Sequence, residues 1–333
     1  MAAKSWKEWE KPLIELEDAL AKLRDSARTA DPSARHGLEA KIEEFEERRD
    51  RYIEVMYSRL GPWEKVLVAR AEKRPYTLDY VQAIFTEFVE LDGDRRHGAD
   101  HAIVGGPARL DGTPVMVIGH QKGRNIHERQ YRNFAMAKPE GYRKAMRLME
   151  MANRFDLPVI TFVDTPAADP GVESESRGIS AALAASMLRM FELEVPTIAV
   201  VVGEGGSGGA LAIAVANSIL MQEHAIYSVI PPEGCAAILW RAPDKGPQAS
   251  AALKLTAQSA LDFGLIDEIL PEPKGGAHRD WVESAGIVKE ALRRHLADQR
   301  ASTGPQLKAA RYAKFRQMGS FIDPGSEQPA LLA

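Results

Sequence analysis

Residues 197–211 read TIAVVVGEGGSGGAL, an apolar run followed by five glycines in seven residues and then by residues that favour a helix. The near-continuous apolar character of 197–202 predicts a strand buried on both faces. A second such strand, 157–163, precedes a helical pattern over 180–192. Strands that alternate with helices in this way predict an α/β domain whose strands pair mainly in parallel.

The rest of the main domain continues this alternation. Asp111-Gly112 lies between two apolar runs and predicts a hairpin turn. Thr77 is a candidate helix cap, and a polar, basic loop is expected over 119–138. We predict further strands over 102–104, 115–118, 218–222, 226–230 and 265–270, and further helices over 76–89, 139–155, 210–216, 250–260 and 280–298.

The first 60 residues differ from the rest because they are rich in Glu, Lys and Arg. Two apolar stripes with spacings of three and four predict an amphipathic helical hairpin that packs against the main domain or a partner. Asp31-Pro32, with Gly37, is expected to form its turn. Pro12 is expected to begin the first helix, so that Trp6 and Trp9 precede it. The stripes are Leu13, Leu16, Leu20 and Leu23, then Leu38, Ile42, Phe45, Tyr52 and Met56.

The chain is therefore divided into the hairpin, 1–60, a main domain, 61–300, and a peripheral, partly disordered tail, 301–333. Its net charge of −4 gives no overall basic field to attract nucleic acid. The single cysteine, Cys235, excludes an internal disulfide or a cysteine-based zinc site, and we expect it to be a small buried residue. No secretory signal is evident and no apolar run approaches the ~20 residues of a membrane helix, so a cytoplasmic protein is expected.

The glycine cluster over 203–209 is expected to hold something negative. A strand that ends before a helix presents free N–H groups at the positive end of the helix dipole, and glycine lets a ligand come close to the backbone. One interpretation is a dinucleotide loop, since Gly203, Gly205 and Gly208 match G-x-G-x-x-G and Glu223 could hold a ribose. A glycine-rich helix start that only permits close packing remains another.

Two further interpretations concern catalysis. Ser207 stands in a G-x-S-x-G pattern typical of a serine hydrolase, with Asp244 or Asp267 and then His278 downstream in the right order. However, the predicted strand ends five residues earlier, which is late for a nucleophile elbow. Alternatively, paired N–H groups could form an oxyanion hole, which needs no side-chain nucleophile.

Several longer motifs follow one another along the chain. They are RPYTLDY at 74–80, AIVGG at 102–106, IGHQKGR at 118–124, PEGYRKA at 139–145, the glycine cluster with Ala210-Leu211, PEGC at 232–235 within 228–236, and GGAHR at 275–279 within 271–279. In this order, over roughly 60–280, they resemble the carboxyltransferase alpha subunit family of bacterial acetyl-CoA carboxylase. The N-terminal hairpin is also similar to that of the family.

The resemblance implies a crotonase-like (ClpP/crotonase) fold of repeated ββα units and a biotin-dependent carboxyltransferase. It implies transfer of CO2 from carboxybiotin, on a biotin carboxyl carrier protein, to acetyl-CoA, giving malonyl-CoA for fatty acid biosynthesis. Biotin carboxylase and a beta subunit are further implied partners, the latter in an assembly of two alpha and two beta chains. The zinc is expected in the zinc ribbon of the beta subunit, and no cofactor or metal is expected in this chain.

The resemblance also implies the site. N–H groups among Gly205, Gly206, Gly208 and Gly209 would hold the ureido oxygen of biotin, while the beta subunit holds the enolate oxygen of the thioester. The freed ureido nitrogen could take the proton of the thioester. The implied substrate-binding residues are Lys122, Arg124, Pro166, Ala167 and Gly171. His120 is expected to be a hydrogen-bonded core residue, and Glu204 a structural partner rather than a base.

The loop from Asp164 to Gly171 departs from the family's usual DTPGAYPG, because it reads DTPAADPG. Ala167 replaces a glycine and adopts positive φ only at a cost. Asp169 replaces an aromatic residue and would add charge near the expected biotin pocket. Ile179 stands where the family has Gln. A non-catalytic paralogue, or one that uses another acyl-CoA, is therefore the alternative function.

Overall fold

A seven-stranded sheet organises the chain in the computed structural model, which describes residues 6–319. The strands are β1 (Ile103–Leu110), β2 (Thr113–His120), β3 (Val159–Thr165), β4 (Thr197–Gly206), β5 (Ser218–Gln222), β6 (Ile226–Ser228) and β7 (Glu268–Leu270). Their order in the sheet is β1-β2-β3-β4-β5-β7, and β6 pairs with the end of β4. β1 and β2 are antiparallel and the other pairs are parallel, which confirms the predicted pairing.

Helices pack on both faces of this sheet. The helices are α1 (Trp6–Thr29), α2 (Pro32–Tyr57), α3 (Pro62–Ala69), α4 (Thr77–Ile84), α5 (Ile126–Tyr131), α6 (Pro139–Arg154), α7 (Val172–Ser176), α8 (Ile179–Glu192), α9 (Ser207–Leu211), α10 (Pro232–Trp240), α11 (Gly246–Leu253), α12 (Ala257–Asp262), α13 (Trp281–Gln299) and α14 (Gly304–Gln317). One core lies between the sheet and α6 with α8, and the other between the sheet and α4 with α13. Successive residues of β2 alternate between these cores, because side chains along a strand point to opposite faces.

The N-terminal hairpin forms and packs against the main domain, since Glu10 and Tyr57 contact His278. Three details of its prediction are wrong. Pro12 lies inside α1 rather than at its start, so both Trp6 and Trp9 belong to the helix. Gly37 lies inside α2, whose N-cap is Asp31.

The predicted stripe on α2 is wrong at one position, since Leu38, Ile42, Phe45 and Met56 are half-buried but Tyr52 is exposed. Ile53 is buried in its place, because the half-buried Arg49 continues the stripe after Phe45 and residues four apart lie on the same face of a helix.

Helix α4 is shorter than the predicted 76–89. It ends at Ile84 because the chain from Thr86 turns to pair with the free edge of β1, where Thr86 and Arg109 exchange hydrogen bonds. The N-cap is Tyr76, not Thr77, and the Asp79 carboxylate accepts from the Tyr76 N–H at 2.6 Å. Tertiary pairing therefore overrides the local helical pattern.

Two other predicted segments are subdivided. The expected helix over 250–260 splits into α11 and α12, with Lys254 at φ +53° between them. The expected loop over 119–138 contains α5, which Asn125 caps by accepting from the Glu128 N–H.

The tail is not wholly peripheral. Residues 304–317 form α14, where the fully buried Arg311 donates to the carbonyls of Met190 at 2.5 Å and Leu193 at 2.9 Å. These carbonyls lie at and just after the C-terminal end of α8, where the helix itself provides no N–H donors. Arg311 provides the hydrogen bonds that they would otherwise lack. The rest of the tail, 320–333, lies outside the described residues, and the domain boundaries at 60 and 300 stay a prediction.

Candidate active site

The glycine cluster begins as strand and only then turns. β4 continues to Gly206, so the prediction that the strand ends at Val202 is wrong. Its extension pairs with β6, with Glu204 opposite Ile226 and Gly206 opposite Ser228. The helix that follows is the five-residue α9 rather than the predicted 210–216. Strand pairing, which the local pattern does not reveal, thus places the turn at Ser207, whose φ is +54°.

The glycines allow the loop after β3 to lie directly against the turn. A Cβ at Gly206 would come within 2.0 Å of the Pro166 carbonyl oxygen, and one at Gly209 within 2.6 Å of the Ala168 nitrogen. The structure therefore brings Pro166 and Ala167 to the cluster, as the resemblance implied. Gly171 lies further along that loop, as the N-cap of α7.

The first turn of α9 contains backbone N–H groups without a backbone acceptor among the described residues. Gly206 is its N-cap and has no side chain to accept from the first N–H groups. Within the described residues, the N–H groups of Gly208 and Gly209 donate to no backbone carbonyl outside the helix. A narrow groove adjoins this turn, lined by Gly205, Gly206 and Pro166 together with Ile226, Ser228, Ile230 and Pro231. The arrangement can hold an oxygen that carries negative charge.

A network of charged side chains surrounds Glu204 of β4. The ammonium of Lys122 lies 2.6 Å from the Asp164 carboxylate and 2.9 Å from that of Glu204. Arg70 bridges Glu204 at 2.7 Å and Glu233 at 2.5 Å. Burial alone would raise the pKa of Glu204, but the charges of Lys122 and Arg70 lower it to about 2. Glu204 is therefore an ionised structural partner, as predicted, and not a base.

The two basic candidates from the sequence thus have protein partners. Lys122 is held by two carboxylates behind the glycine strand. Arg124 pairs with Asp79, donates to the carbonyls of Glu72 and Arg74, and lies 4.5 Å above the Tyr76 ring. Sequence analysis missed Arg70 and Glu233, because they stand 134 and 29 residues from Glu204 and no spacing rule links them.

Two buried polar side chains lie below the turn. His120 and Tyr142 are both fully buried, and among the described residues neither the imidazole nitrogens nor the phenol oxygen have a hydrogen-bond partner. Burial and the nearby charge of Lys122 lower the pKa of His120 to about 3, so the ring is neutral. The core position predicted for His120 is confirmed, and the backbone groups of Gly209 and Phe162 that face its ring do not complete hydrogen bonds among the described residues.

The altered loop after β3 fits without the expected strain. Ala167 is not among the residues with positive φ. The Asp169 carboxylate accepts from the Asn133 amide at 3.1 Å and from the Ser174 hydroxyl. Burial opposes ionisation of Asp169, but these two hydrogen bonds lower its pKa. The added charge is therefore held by side chains on both sides of the loop, which removes the structural reason for a non-catalytic paralogue.

The close-packing role of the glycines is confirmed, because a Cβ at Gly206 or Gly209 would meet the loop after β3. The dinucleotide and serine hydrolase interpretations lack the geometry that they need. Gly203 and Gly205 lie in a paired strand rather than in a phosphate-binding turn. Ser207 does follow the strand directly, contrary to expectation, but its predicted partners are elsewhere. Asp267 accepts from the Ile219 N–H and pairs with Lys314, and His278 belongs to the contact with α1 and α2.

Residues 6–319 were searched for metal-binding groups and for membrane-spanning helices. Within that range no group of three or more His, Cys, Asp or Glu is placed to hold a metal ion. No helix there is long and apolar enough to span a membrane. Cys235 is half-buried rather than buried as expected.

Comparison with known proteins identifies the family. The model of the family described as "Acetyl co-enzyme A carboxylase carboxyltransferase-like" matches residues 6–319. The acetyl-coenzyme A carboxylase carboxyl transferase subunit alpha of Geobacter metallireducens is 54% identical over 323 residues, which are 97% of this chain and 100% of the relative. That of Thermus thermophilus is 50% identical over 317 residues, which are 95% and 99% of the two chains.

Solved structures match the fold at lower identity. A transcarboxylase 12S structure with methylmalonyl-coenzyme A bound has a TM-score of 0.54 and 20% identity, over 68% of this chain and 43% of that chain, so this protein spans less than half of it. A Pseudomonas malonate decarboxylase hetero-tetramer in complex with coenzyme A has a TM-score of 0.52 and 20% identity, over 67% and 91%. The chain belongs to the acetyl-coenzyme A carboxylase carboxyltransferase family of transferases and has the predicted crotonase-like fold.

Proposed function

We propose that this chain is the alpha subunit of an acetyl-CoA carboxylase carboxyltransferase, which transfers CO2 from carboxybiotin to acetyl-CoA to give malonyl-CoA. The observation that supports this most is that the N–H groups of Gly208 and Gly209, in the first turn of α9, donate to no backbone carbonyl outside the helix among the described residues. They stand where the parallel strands β3 and β4 end, and the Pro166–Ala167 loop adjoins them. Ligands commonly bind at the carboxyl ends of parallel strands.

The N–H donors have the role of an oxyanion hole for the ureido oxygen of biotin. This oxygen gains negative charge as CO2 leaves, and fixed donors stabilise such charge without reorganisation. Removing one donor in a hole of this kind typically costs about 3 kcal/mol in the activation free energy. Which of the donors among Gly205, Gly206, Gly208 and Gly209 contact the oxygen is part of the proposal, and the uncapped pair favours the last two.

The surrounding side chains bind and orient rather than transfer protons. The low pKa of Glu204 and the double pairing of Lys122 leave neither free to take the α-proton of the thioester. We therefore assign the proton to the freed ureido nitrogen, and the enolate oxygen to a second hole in the beta subunit. We reassign Lys122 from substrate binding to holding the strand ends, and Arg124 to holding the Tyr76 turn. Pro166, Ala167 and Gly171 remain the proposed walls of the biotin site.

The proposed assembly contains two alpha and two beta chains and works with the biotin carboxyl carrier protein and biotin carboxylase in the cytoplasm. One cysteine cannot supply a four-thiolate zinc site, so the zinc of this system is assigned to the beta subunit. Shared sites of this kind require both chains for activity.

Reconstitution tests the function. The chain is mixed with a matching beta subunit, malonyl-CoA and free biotin. Transfer of the carboxyl group from malonyl-CoA to biotin is measured by the acetyl-CoA that forms. We expect transfer with both chains and none with either alone. Transfer by this chain alone, or no transfer with the partner present, would contradict the proposal.

A variant of Ser207 separates backbone from side-chain chemistry. Ser207→Gly removes the hydroxyl, keeps the N–H and suits the observed φ of +54°. We expect its kcat to stay within about 3-fold of the parent, since only backbone donors act. A fall of about 100-fold would instead indicate a serine nucleophile.

A further inference from the structure

Tyr142 and His120 approach the glycine turn from inside the protein. Tyr142 belongs to α6 and His120 ends β2, so two distant parts of the chain meet at one point. A Cβ at Gly209 would lie 3.0 Å from the Tyr142 hydroxyl oxygen and 2.6 Å from the Ala168 nitrogen. The hydroxyl therefore lies beside both the turn and the loop that contacts it. Backbone groups of Gly209 and Phe162 face the imidazole, although neither completes a hydrogen bond in the described residues.

Tyr142 and His120 are polar side chains at positions where an apolar side chain of similar shape would make the isolated chain more stable. Each is fully buried, and the Tyr142 hydroxyl and both His120 nitrogens are unpaired among residues 6–319. A buried polar group without a partner is unfavourable, whereas an apolar group of similar shape avoids this cost. A buried polar group without a protein partner therefore calls for an explanation, and a role in catalysis is one of them.

Neither group changes charge to do so. Burial raises the pKa of Tyr142, so its O–H remains a donor, and nearby Asp100 and Asp169 raise it further. The imidazole of His120 is neutral and presents one donor and one acceptor. Both groups can therefore bond to peptide groups of the turn after a small movement. Hydrogen bonds in such a chain polarise one another and strengthen the outermost donors.

We propose that Tyr142 and His120 are positioning residues for the Gly208–Gly209 turn, unpaired in the free chain and hydrogen-bonded to the backbone of the turn when it holds its anionic ligand. This rests on the proposed function of the turn as an oxyanion hole. Neither side chain reaches the reacting atoms, and each acts through the peptide groups that do.

Tyr142→Phe tests this against a matched control. In the reconstituted enzyme we expect kcat to fall by about 10- to 100-fold, with KM for malonyl-CoA within about 2-fold. The thermal midpoint of the isolated variant should stay equal or rise, because an unpaired hydroxyl is removed. Tyr80→Phe is the control, since the Tyr80 hydroxyl bonds to Gln222 at 3.1 Å and contacts Ser284. It should lower the midpoint and leave kcat unchanged.

His120→Leu provides the second variant and should repeat the pattern of Tyr142→Phe. A lowered midpoint in Tyr142→Phe, equal to that of the control, would mean that the hydroxyl is already paired in the free chain and would overturn the proposal. An unchanged kcat in both variants would overturn it as well.

Hydrogen exchange separates this proposal from the proposed function. Amide exchange over 203–211 is measured on the isolated chain with and without saturating free biotin. We expect biotin to slow exchange in the parent and to slow it less in Tyr142→Phe. If the reconstituted parent shows no transfer but this difference holds, the function fails and the positioning role stands. No slowing in the parent, or equal slowing in the variant, overturns the positioning role.

Discussion

Gly206→Ala should destabilise the protein strongly, because the loop after β3 lies where the new methyl group would be. The Cβ would stand 2.0 Å from the Pro166 carbonyl oxygen and 2.3 Å from its carbon. Neither atom is the end of a flexible side chain. The preceding Thr165 is fully buried in β3 and pairs with Gly205, so the loop cannot move away without disturbing the sheet.

The magnitude follows from this distance. Carbon and neighbouring heavy atoms normally stand about 3.5 Å apart, so the loop must shift by more than 1 Å. Overpacking by one methylene typically costs about 1–3 kcal/mol, and a displaced backbone places Gly206→Ala at the upper end. We expect a loss of about 3 kcal/mol in the free energy of unfolding.

Gly208→Ala is the matched control two residues away. Its Cβ would stand 3.4 Å from Leu183 Cδ1, an ordinary contact with a flexible group. Alanine also restricts the unfolded chain, so this variant should gain about 0.4–1 kcal/mol or be neutral.

Urea unfolding followed by circular dichroism measures both variants, with equal slopes required for the comparison. A Gly206→Ala loss below about 1 kcal/mol, or equal losses in the two variants, would refute the contact between the glycine strand and the loop.

Three further predictions concern stability. Ala135 is buried at φ +62°, so Ala135→Gly should raise the free energy of unfolding by up to about 1 kcal/mol in urea, and a loss would show that the methyl group packs well. Arg311→Met should lower it by about 3 kcal/mol, because several buried acceptors lose their donor; a change under 1 kcal/mol would contradict that role. Burial lowers the pKa of His120 to about 3, whereas a histidine in an unfolded chain has a pKa of about 6.5. Between these values only the unfolded chain takes up the proton, so the free energy of unfolding should fall by up to about 1.4 kcal/mol for each pH unit below 6.5. The pKa values of His224 and His278 are lowered too, so His120→Leu should flatten this dependence only in part, and an unchanged slope would contradict the prediction.

Local sequence patterns predicted correctly those elements whose bounds do not depend on a distant pairing partner. The helix predicted over 139–155 is α6, and the strand over 218–222 is β5. The Asp111-Gly112 turn lies between β1 and β2 at positive φ, as the dipeptide indicates. Side-chain period and turn chemistry act within a few residues, so they can be read from the chain alone.

Elements that depend on a distant partner were misplaced. β4 continues through its glycines because β6 supplies hydrogen bonds there, and α4 ends early because β1 offers a free edge. Conversely, the strain expected at Ala167 is absent. A backbone angle follows from the whole loop and not from the identity of one residue.

The sequence by itself determined the α/β class, the family and the glycine cluster as the centre of the site, because these depend on order and residue type along the chain. Only the tertiary structure decided what surrounds that cluster. It paired Lys122 with Glu204, 82 residues away, and brought the Tyr142 hydroxyl and the His120 imidazole close to Gly209. The physical reason is that parallel strands end together at one edge of a sheet, where side chains and loops from remote segments meet, and no local spacing records which of them pair.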